Sequence, residues 1–108
     1  MQKFNVNDLQ EFSADKRVRK TLSKEGKIEV DLIFYEPGQS SPEHAHKHQD
    51  EIFYVVSGEG SMVINGEKVS VKEKDIILAP SGTTHGINND SSSQLSLLFV
   101  KNKRPQNV

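Results

Sequence analysis

The sequence has no cysteine, a formal net charge of only −1 and no long apolar run. Without cysteine the chain has no disulfide framework, no thiolate nucleophile and no thiolate ligand, so any metal site must use nitrogen and oxygen ligands. The balanced charge argues against a general nucleic-acid binder. The longest apolar run, Ile52–Val56, is far shorter than the about 20 residues that cross a bilayer. We therefore expect no nucleic-acid partner and no membrane partner.

Length and composition predict one domain with a small core. The chain has 108 residues, of which 33% are hydrophobic, and this length is typical of a single domain. The first residues, Met1–Phe12, lack the apolar segment of a signal peptide, so a soluble cytoplasmic protein is expected. Because a domain of this size has a small core, closing a sheet into a barrel or forming a dimer would help its stability.

Charge divides the chain into three parts. Residues 1–27 carry a net charge of +3, residues 28–100 a net charge of −7, and residues 101–108 a net charge of +3. We interpret the first part as an N-terminal segment with an edge or dimer-pairing strand, and the last as a polar tail. The basic run Lys16–Lys20 is typical of a solvated edge strand. The alternative is a docking patch for an anionic partner.

Hydrophobicity with a period of two predicts an all-β fold. Apolar and polar side chains alternate along Ile28–Tyr35, so one face of this strand is expected to be buried. Asn65-Gly66 predicts a hairpin, because both residues tolerate positive φ. A short helical turn is predicted within Asn7–Ala14. Short strands at this spacing are typical of a sandwich or barrel, and the others are predicted at Val18–Leu22, Ile52–Val56, Ser61–Ile64, Lys68–Val71, Ile76–Ala79, Thr84–Asn88 and Leu95–Val100.

Three of the four histidines lie within five positions, at His44, His46 and His48. Residues i and i+2 of a strand point to the same face, so His44 and His46 are spaced to chelate one ion. Glu51 could turn its carboxylate into the same space, and His85 opens a later strand. Three imidazoles and one carboxylate would leave open positions on an octahedral metal. The alternative is a polar surface strand to which His85 is unrelated.

These residues resemble the first motif of the cupin family. That motif reads Gly, five residues, His-x-His, three or four residues, Glu, six residues, Gly. The chain has these residues at the required spacings, with four residues between the second histidine and the glutamate: Gly38, His44, His46, Glu51 and Gly58.

The second cupin motif follows in order. It ends in Pro-x-Gly, two residues, His, three residues, Asn, which this chain matches with Pro80, Gly82, His85 and Asn89. Lys74 stands where the motif begins with glycine, so the turn there departs from the family pattern. Asn89 is interpreted as a loop residue that bonds local backbone rather than as a ligand.

The resemblance implies an antiparallel double-sheet jelly-roll barrel over residues 28–100. It implies one divalent metal ion (Mn, Fe, Ni, Zn, Co or Cu) held by His44, His46, Glu51 and His85. It also implies a homodimer, in which the strand-like run before residue 28 could pair across the interface.

The function expected from the resemblance is that of a small metal-binding cupin acting on a small molecule. Dioxygenase-like chemistry is favoured for such a metal-dependent enzyme. The alternatives are a non-catalytic small-ligand-binding or sensor cupin, sugar isomerase, epimerase or decarboxylase chemistry, and a purely structural barrel. No catalytic residue beyond the ligands is predicted.

Several nearby side chains carry weaker expectations. His48 shares the parity of the two histidines before it, but a surface position is favoured. Asp50 could compete with Glu51 as a ligand, although its spacing is one residue short of the motif. Five large side chains are expected mainly in the core, with one or two lining the cavity of the barrel: Tyr35, Phe53, Tyr54, Met62 and Phe99.

Overall fold

A computed structural model describes residues 1–45 and 49–103, with only the backbone of Lys103. The predictions for His46 and His48 lie outside the described residues. One short helix, α1 (Val6–Leu9), precedes nine strands. The strands are β1 (Val18–Ser23), β2 (Ile28–Tyr35), β3 (Ser40–His44), β4 (Gln49–Ser57), β5 (Glu59–Ile64), β6 (Glu67–Lys72), β7 (Ile76–Ala79), β8 (His85–Asn88) and β9 (Leu95–Lys103).

The strands form two antiparallel sheets, which confirms the all-β jelly-roll prediction. The five-stranded sheet has the order β1-β2-β9-β4-β7, and the four-stranded sheet has the order β3-β8-β5-β6. Buried side chains from both sheets, such as Phe53 and Val55 from one and Met62 and Ile87 from the other, form one hydrophobic cluster. The two sheets therefore enclose the core between them. In the part of the chain that the structure describes, no helix has the length and hydrophobicity of a membrane span.

The predicted hairpin joins β5 to β6. Ile64 and Glu67 are paired across a two-residue turn. Asn65 has φ 49° and Gly66 has φ 81°, so both residues take the positive φ that this kind of turn requires. The Asn65 side chain also accepts a hydrogen bond from the backbone N–H of Thr84, at 3.0 Å. The turn residue thus holds the segment that leads into β8.

Strand β2 is buried on both faces over Asp31–Tyr35, so the expectation of one buried face is wrong for this half. Ile33 and Tyr35 belong to the core cluster between the sheets. Phe34 lies on the opposite face, where the ring of Phe12 packs against it at 5.4 Å between centroids. The N-terminal segment covers this outer face, which the alternation within β2 could not reveal.

Strand β9 continues to Lys103, three residues beyond its predicted end and into the predicted polar tail. It lies between β2 and β4, and Lys101 is paired with Glu29 on one side and Glu51 on the other. Two paired neighbours satisfy the backbone of these polar residues, which explains the extra length. Strand β1 lies at the edge of the five-stranded sheet, as the basic run indicated. Its pairing across a dimer interface stays a prediction.

At Lys74 the chain forms the same turn for which the family motif has a glycine. Its φ is 75°, in the left-handed region that favours glycine. The backbone N–H of Lys74 donates to the carbonyl of Val55 at 2.8 Å, and the N–H of Lys72 donates to the Asp75 carboxylate at 2.9 Å. These hydrogen bonds hold the turn, so the departure from the motif leaves its geometry intact.

The variant Lys74→Gly is expected to be more stable than the parent by about 0.5 kcal/mol. Removing Cβ relieves the left-handed strain of about 1–2 kcal/mol, while the added freedom of the unfolded chain offsets part of that gain. Urea unfolding measures the difference. Lys72→Gly, the same change two positions earlier in strand β6, is expected to destabilise. A loss of stability in Lys74→Gly would contradict the assignment of strain to this position.

Candidate metal centre

Three of the four predicted ligands meet between the two sheets. His44 ends β3 and His85 begins β8, and the two residues are paired in the four-stranded sheet. Glu51 lies on β4 in the facing five-stranded sheet. One ligand atom from each of these residues lies within 4.8 Å of the other two. The structure thus brings together residues 41 positions apart, as the resemblance implies, while His46 lies outside the described residues.

Both imidazole rings are held so that Nε2 can act as a ligand. Nδ1 of His44 lies 3.0 Å from the carbonyl oxygen of Pro42, and Nδ1 of His85 lies 3.2 Å from that of Thr83. A carbonyl oxygen only accepts, so each Nδ1 carries the proton and donates it. In the neutral form of a ring protonated at Nδ1, Nε2 keeps its lone pair, and this is the form of histidine that coordinates metals.

His85 and Glu51 form a buried pair of donor atoms. Nε2 of His85 lies 2.7 Å from Oε2 of Glu51, and the two side chains are 2% and 0% exposed. Apart from this contact, Nε2 of His85 has no polar partner within the described residues. A ring nitrogen and a carboxylate oxygen this close, out of contact with water, share either a proton or a bound cation. Nitrogen and oxygen donors of this kind suit a divalent transition metal.

Packing and a tight turn fix the direction of the His85 ring. The ring makes edge contacts with Phe53 at 5.1 Å and with His44 at 4.5 Å between centroids. The turn before β8 is closed by a hydrogen bond from the N–H of Thr83 to the carbonyl of Pro80, at 3.0 Å. A ligand whose ring is held in this way loses little freedom when it binds an ion.

Asp50 has a different role from the one considered in the sequence analysis. Its Oδ1 accepts a hydrogen bond from the backbone N–H of Ser81 at 2.9 Å, so it supports the turn that leads to His85. Glu51, the next residue along β4, is the carboxylate in the cluster. The alternation of side chains along a strand separates the two acidic residues onto opposite faces.

A cavity of about 360 Å³ adjoins the site. Its walls include both histidines, His44 and His85, and the apolar side chains of Ile33, Phe53 and Phe99. His44 is exposed, whereas the other two clustered residues are buried. An ion held there would therefore be reached from the cavity side, as a ligand-binding site needs.

Four of the five large side chains divide between core and cavity, as predicted, but Tyr54 is only half-buried and lies outside the core cluster. Alternation along β4 turns it to the face opposite Phe53. Phe53 and Phe99 line the cavity, while Tyr35 and Met62 are fully buried. The hydroxyl of Tyr35 shares a hydrogen bond of 2.8 Å with Ser41. Burial raises the pKa of Tyr35 to about 12, although the bond to Ser41 opposes that shift. The hydroxyl therefore stays protonated at neutral pH.

Asn89 is structural, as the sequence indicated. The side chain is buried and its amide nitrogen donates to the carbonyl oxygens of Tyr35 at 3.0 Å and of Ser93 at 2.8 Å. The first of these bonds spans 54 positions, so Asn89 fastens its loop to β2 as well as bonding local backbone.

Sequence reasoning missed three cationic side chains in the cavity wall, Arg17, Arg19 and Lys101. The basic run was interpreted as one block, although the two arginines alternate with Val18 and Lys20. A period of two across this run was the available signal, because side chains two positions apart on an extended chain point to the same side.

Comparison with known proteins decides the family. A family profile described as “Cupin domain” matches residues 31–101. The chain belongs to the cupin family. This cupin is 38% identical over 64 residues to a protein of Thermotoga maritima named “Oxalate-binding protein”. The match covers 59% of this chain and 53% of that protein, so the cupin described here corresponds to about half the length of that relative.

Solved structures show the same fold. A protein from Thermus thermophilus, TT1209, superposes with a TM-score of 0.90 at 27% identity, covering 97% of this cupin and all of that chain. A putative sugar phosphate isomerase from Acidithiobacillus ferrooxidans superposes with a TM-score of 0.73 at 26% identity, covering 82% of this cupin and 60% of that chain. The barrel is thus shared with a protein whose name refers to a sugar phosphate.

Proposed function

We propose that this cupin binds one divalent metal ion through His44, His46, Glu51 and His85, and acts on a small molecule in the adjoining cavity. The observation that carries the proposal is the 2.7 Å approach of Nε2 of His85 to the buried carboxylate of Glu51. Two electron-rich atoms in a dry site beside a cavity favour a bound cation over a purely structural role.

The residues of the chain would hold the ion and orient the molecule that reaches it. The backbone carbonyls of Pro42 and Thr83 keep the two imidazoles in the ligating tautomer. Phe53 and Phe99 form an apolar wall that shields the site from water. A divalent metal bound there supplies Lewis acidity and, if it is redox-active, the electron transfer needed for the dioxygenase-like chemistry that we favour.

Elemental analysis of protein purified without chelator tests the metal site directly. We expect close to one equivalent of ion per chain. Protein stripped with EDTA is expected to melt on the order of 10 °C lower than protein in an excess of the correct ion, chosen from Mn, Fe, Co, Ni, Cu and Zn. If no ion is found and none of the six raises the melting temperature, the proposed function is wrong.

Two other functions are supported by the named relatives. Non-catalytic ligand binding is favoured by the likeness to the oxalate-binding protein, and isomerase chemistry by the likeness to the putative sugar phosphate isomerase. Oxygen consumption by the metal-loaded protein is measured with diketones, flavonols, thiols, oxalate and sugar phosphates. A dioxygenase consumes oxygen with its substrate, whereas an isomerase and a binding protein do not. Product analysis without oxygen then separates an isomerase from a binding protein.

A further inference from the structure

The wall of the cavity beside the metal site carries three cations from two neighbouring regions of the fold. Arg17 and Arg19 come from the start of the chain, and Lys101 comes from β9. The rest of the wall is largely apolar, with Ile33 and Phe99 among its residues. Arg17 and Arg19 are exposed and Lys101 is half-buried, so the partners of each cation decide which charge the cavity presents to a molecule.

Two of the three cations already have carboxylate partners. Arg19 lies 2.8 Å from Asp31 and 3.1 Å from Glu29, and Lys101 lies 3.6 Å from Glu29. Arg19 and Lys101 also lie 5.9 Å and 5.4 Å from the centre of the Phe99 ring. These contacts fix both side chains in the wall, and the two carboxylates offset their two charges.

Arg17 has no such partner among residues 1–45 and 49–103. Its one hydrogen bond there runs from Nη1 to the backbone carbonyl of Ser40, at 3.0 Å. That bond fixes one corner of the guanidinium without neutralising its charge. A guanidinium has five N–H donors in a planar fork, so Arg17 keeps donors for a second, charged acceptor.

We propose that the cavity selects small organic anions and that Arg17 binds their carboxylate or phosphate group. The inference rests on the proposed function, which places a small molecule in this cavity. Three cations against two carboxylates leave one positive charge in the wall. A divalent ion would add a second, because Glu51 offsets only half of its charge. An anion with two oxygen acceptors matches the fork of Arg17.

The size of the cavity limits the molecule. A volume of about 360 Å³ lies at the lower end of the range for small-molecule sites. The apolar residues Ile33, Phe53 and Phe99 suit a short carbon body between the charged group and the metal. The favoured ligands are therefore short organic acids and their phosphorylated counterparts, rather than nucleotides or oligosaccharides.

Calorimetric titration with malonate, phosphoglycolate and the neutral malonamide tests this inference, on both metal-free and manganese-loaded protein. We expect at least one of the two anions to bind more tightly than malonamide. We expect Arg17→Met to weaken binding of that anion by about 10-fold or more, because a hydrogen bond to a charged group is lost. Comparing malonate with phosphoglycolate identifies which oxyanion the site prefers.

Lys16→Met is the matched control. Lys16 is the exposed neighbour of Arg17 and does not line the cavity, so this variant loses the same charge without touching the site. Circular dichroism of each variant checks that the fold is retained. Arg17→Lys, which keeps the charge but loses the fork, is expected to fall between the parent and Arg17→Met.

The outcomes separate this inference from the metal proposal. Failure to bind any divalent metal ion overturns the proposed function. In that event, titration of the metal-free protein with malonate or phosphoglycolate still shows whether Arg17 binds anions. Metal binding without an Arg17-dependent preference for malonate or phosphoglycolate over malonamide overturns the inference. Equal losses in Arg17→Met and Lys16→Met also overturn it, since they reveal a general charge effect.

Discussion

Glu51→Gln is expected to remove divalent-metal binding and to leave the metal-free fold nearly as stable as the parent. Changes around metal ligands already cost about 10–100-fold in affinity, so loss of the one carboxylate in the described cluster should cost at least about 100-fold. The amide preserves the volume of a side chain that is fully buried. The substitution removes the buried carboxylate itself, so no unpaired negative charge is left behind.

Titration calorimetry with the ion identified by elemental analysis measures the affinity, and thermal unfolding of the metal-free protein measures the stability. Asp50→Asn removes the neighbouring carboxylate on the same strand, where it supports the Ser81 turn, and should keep metal binding. Metal affinity within tenfold of the parent in Glu51→Gln would show that the ion is held elsewhere. An equal loss in Asp50→Asn would point to an effect of charge alone.

Arg19→Met is expected to lower the free energy of unfolding by about 3 kcal/mol. Asp31 is 0% exposed and lies 2.8 Å from the guanidinium of Arg19. Removing one partner of a buried pair leaves the other charge uncompensated, which typically costs about 3–5 kcal/mol. The expected loss in the free energy of unfolding lies at the low end of this range, because the Arg19 side chain is 47% exposed and water screens the interaction.

Urea unfolding of a double-mutant cycle isolates that interaction. In an Asp31→Asn background, Arg19→Met should cost much less, because no buried carboxylate remains. Lys20→Met is the control on the same strand, since Lys20 pairs with the exposed Glu11 at 3.1 Å. Exposed ion pairs of this kind contribute about 0–1 kcal/mol. Equal effects of Arg19→Met in both backgrounds would contradict the coupling.

The buried pair of Asp31 and Arg19 also makes the stability of the protein depend on pH. Burial pushes the pKa of Asp31 upwards, but hydrogen bonds from Thr21 and Arg19 outweigh it and hold the pKa below its ordinary value of 3.8. The unfolded chain therefore takes up this proton at a higher pH than the folded protein does. Asp31 contributes its full stabilisation at pH values above its pKa in the unfolded chain. That stabilisation is lost as the pH falls through its lower pKa in the folded protein. Asp31→Asn should make acid unfolding less steep.

Sequence predicted the parts of the fold that depend on local rules. The Asn65-Gly66 hairpin follows from the positive φ of its two residues, and the bounds of β2 follow from its alternation. The proximity of His44, Glu51 and His85 was predicted from the spacing of the cupin motifs. The motifs indicate that these distant strands come together but give no physical reason for it. In each case the signal lies in the identity and spacing of a few residues.

The cavity wall could not be predicted in the same way. Whether Arg19 faces solvent or the barrel depends on how β1 pairs with β2, and the burial of Asp31 depends on β9 lying beside it. The burial of Phe34 depends on Phe12, which precedes the barrel. These features arise from packing between distant segments of the chain. The identity of a polar or charged residue says little about whether such packing will bury it.

The placement of the candidate ligands on both sheets makes the metal a potential cross-link. His44 and His85 belong to one sheet and Glu51 to the other, so an ion bound by all three would tie the two walls of the barrel together. Because the three ligands come together only in the folded chain, the ion would stabilise the fold by binding it in preference to the unfolded chain. In a protein without cysteine, this reversible tie would take the place of a disulfide, and metal supply would set how rigid the barrel is.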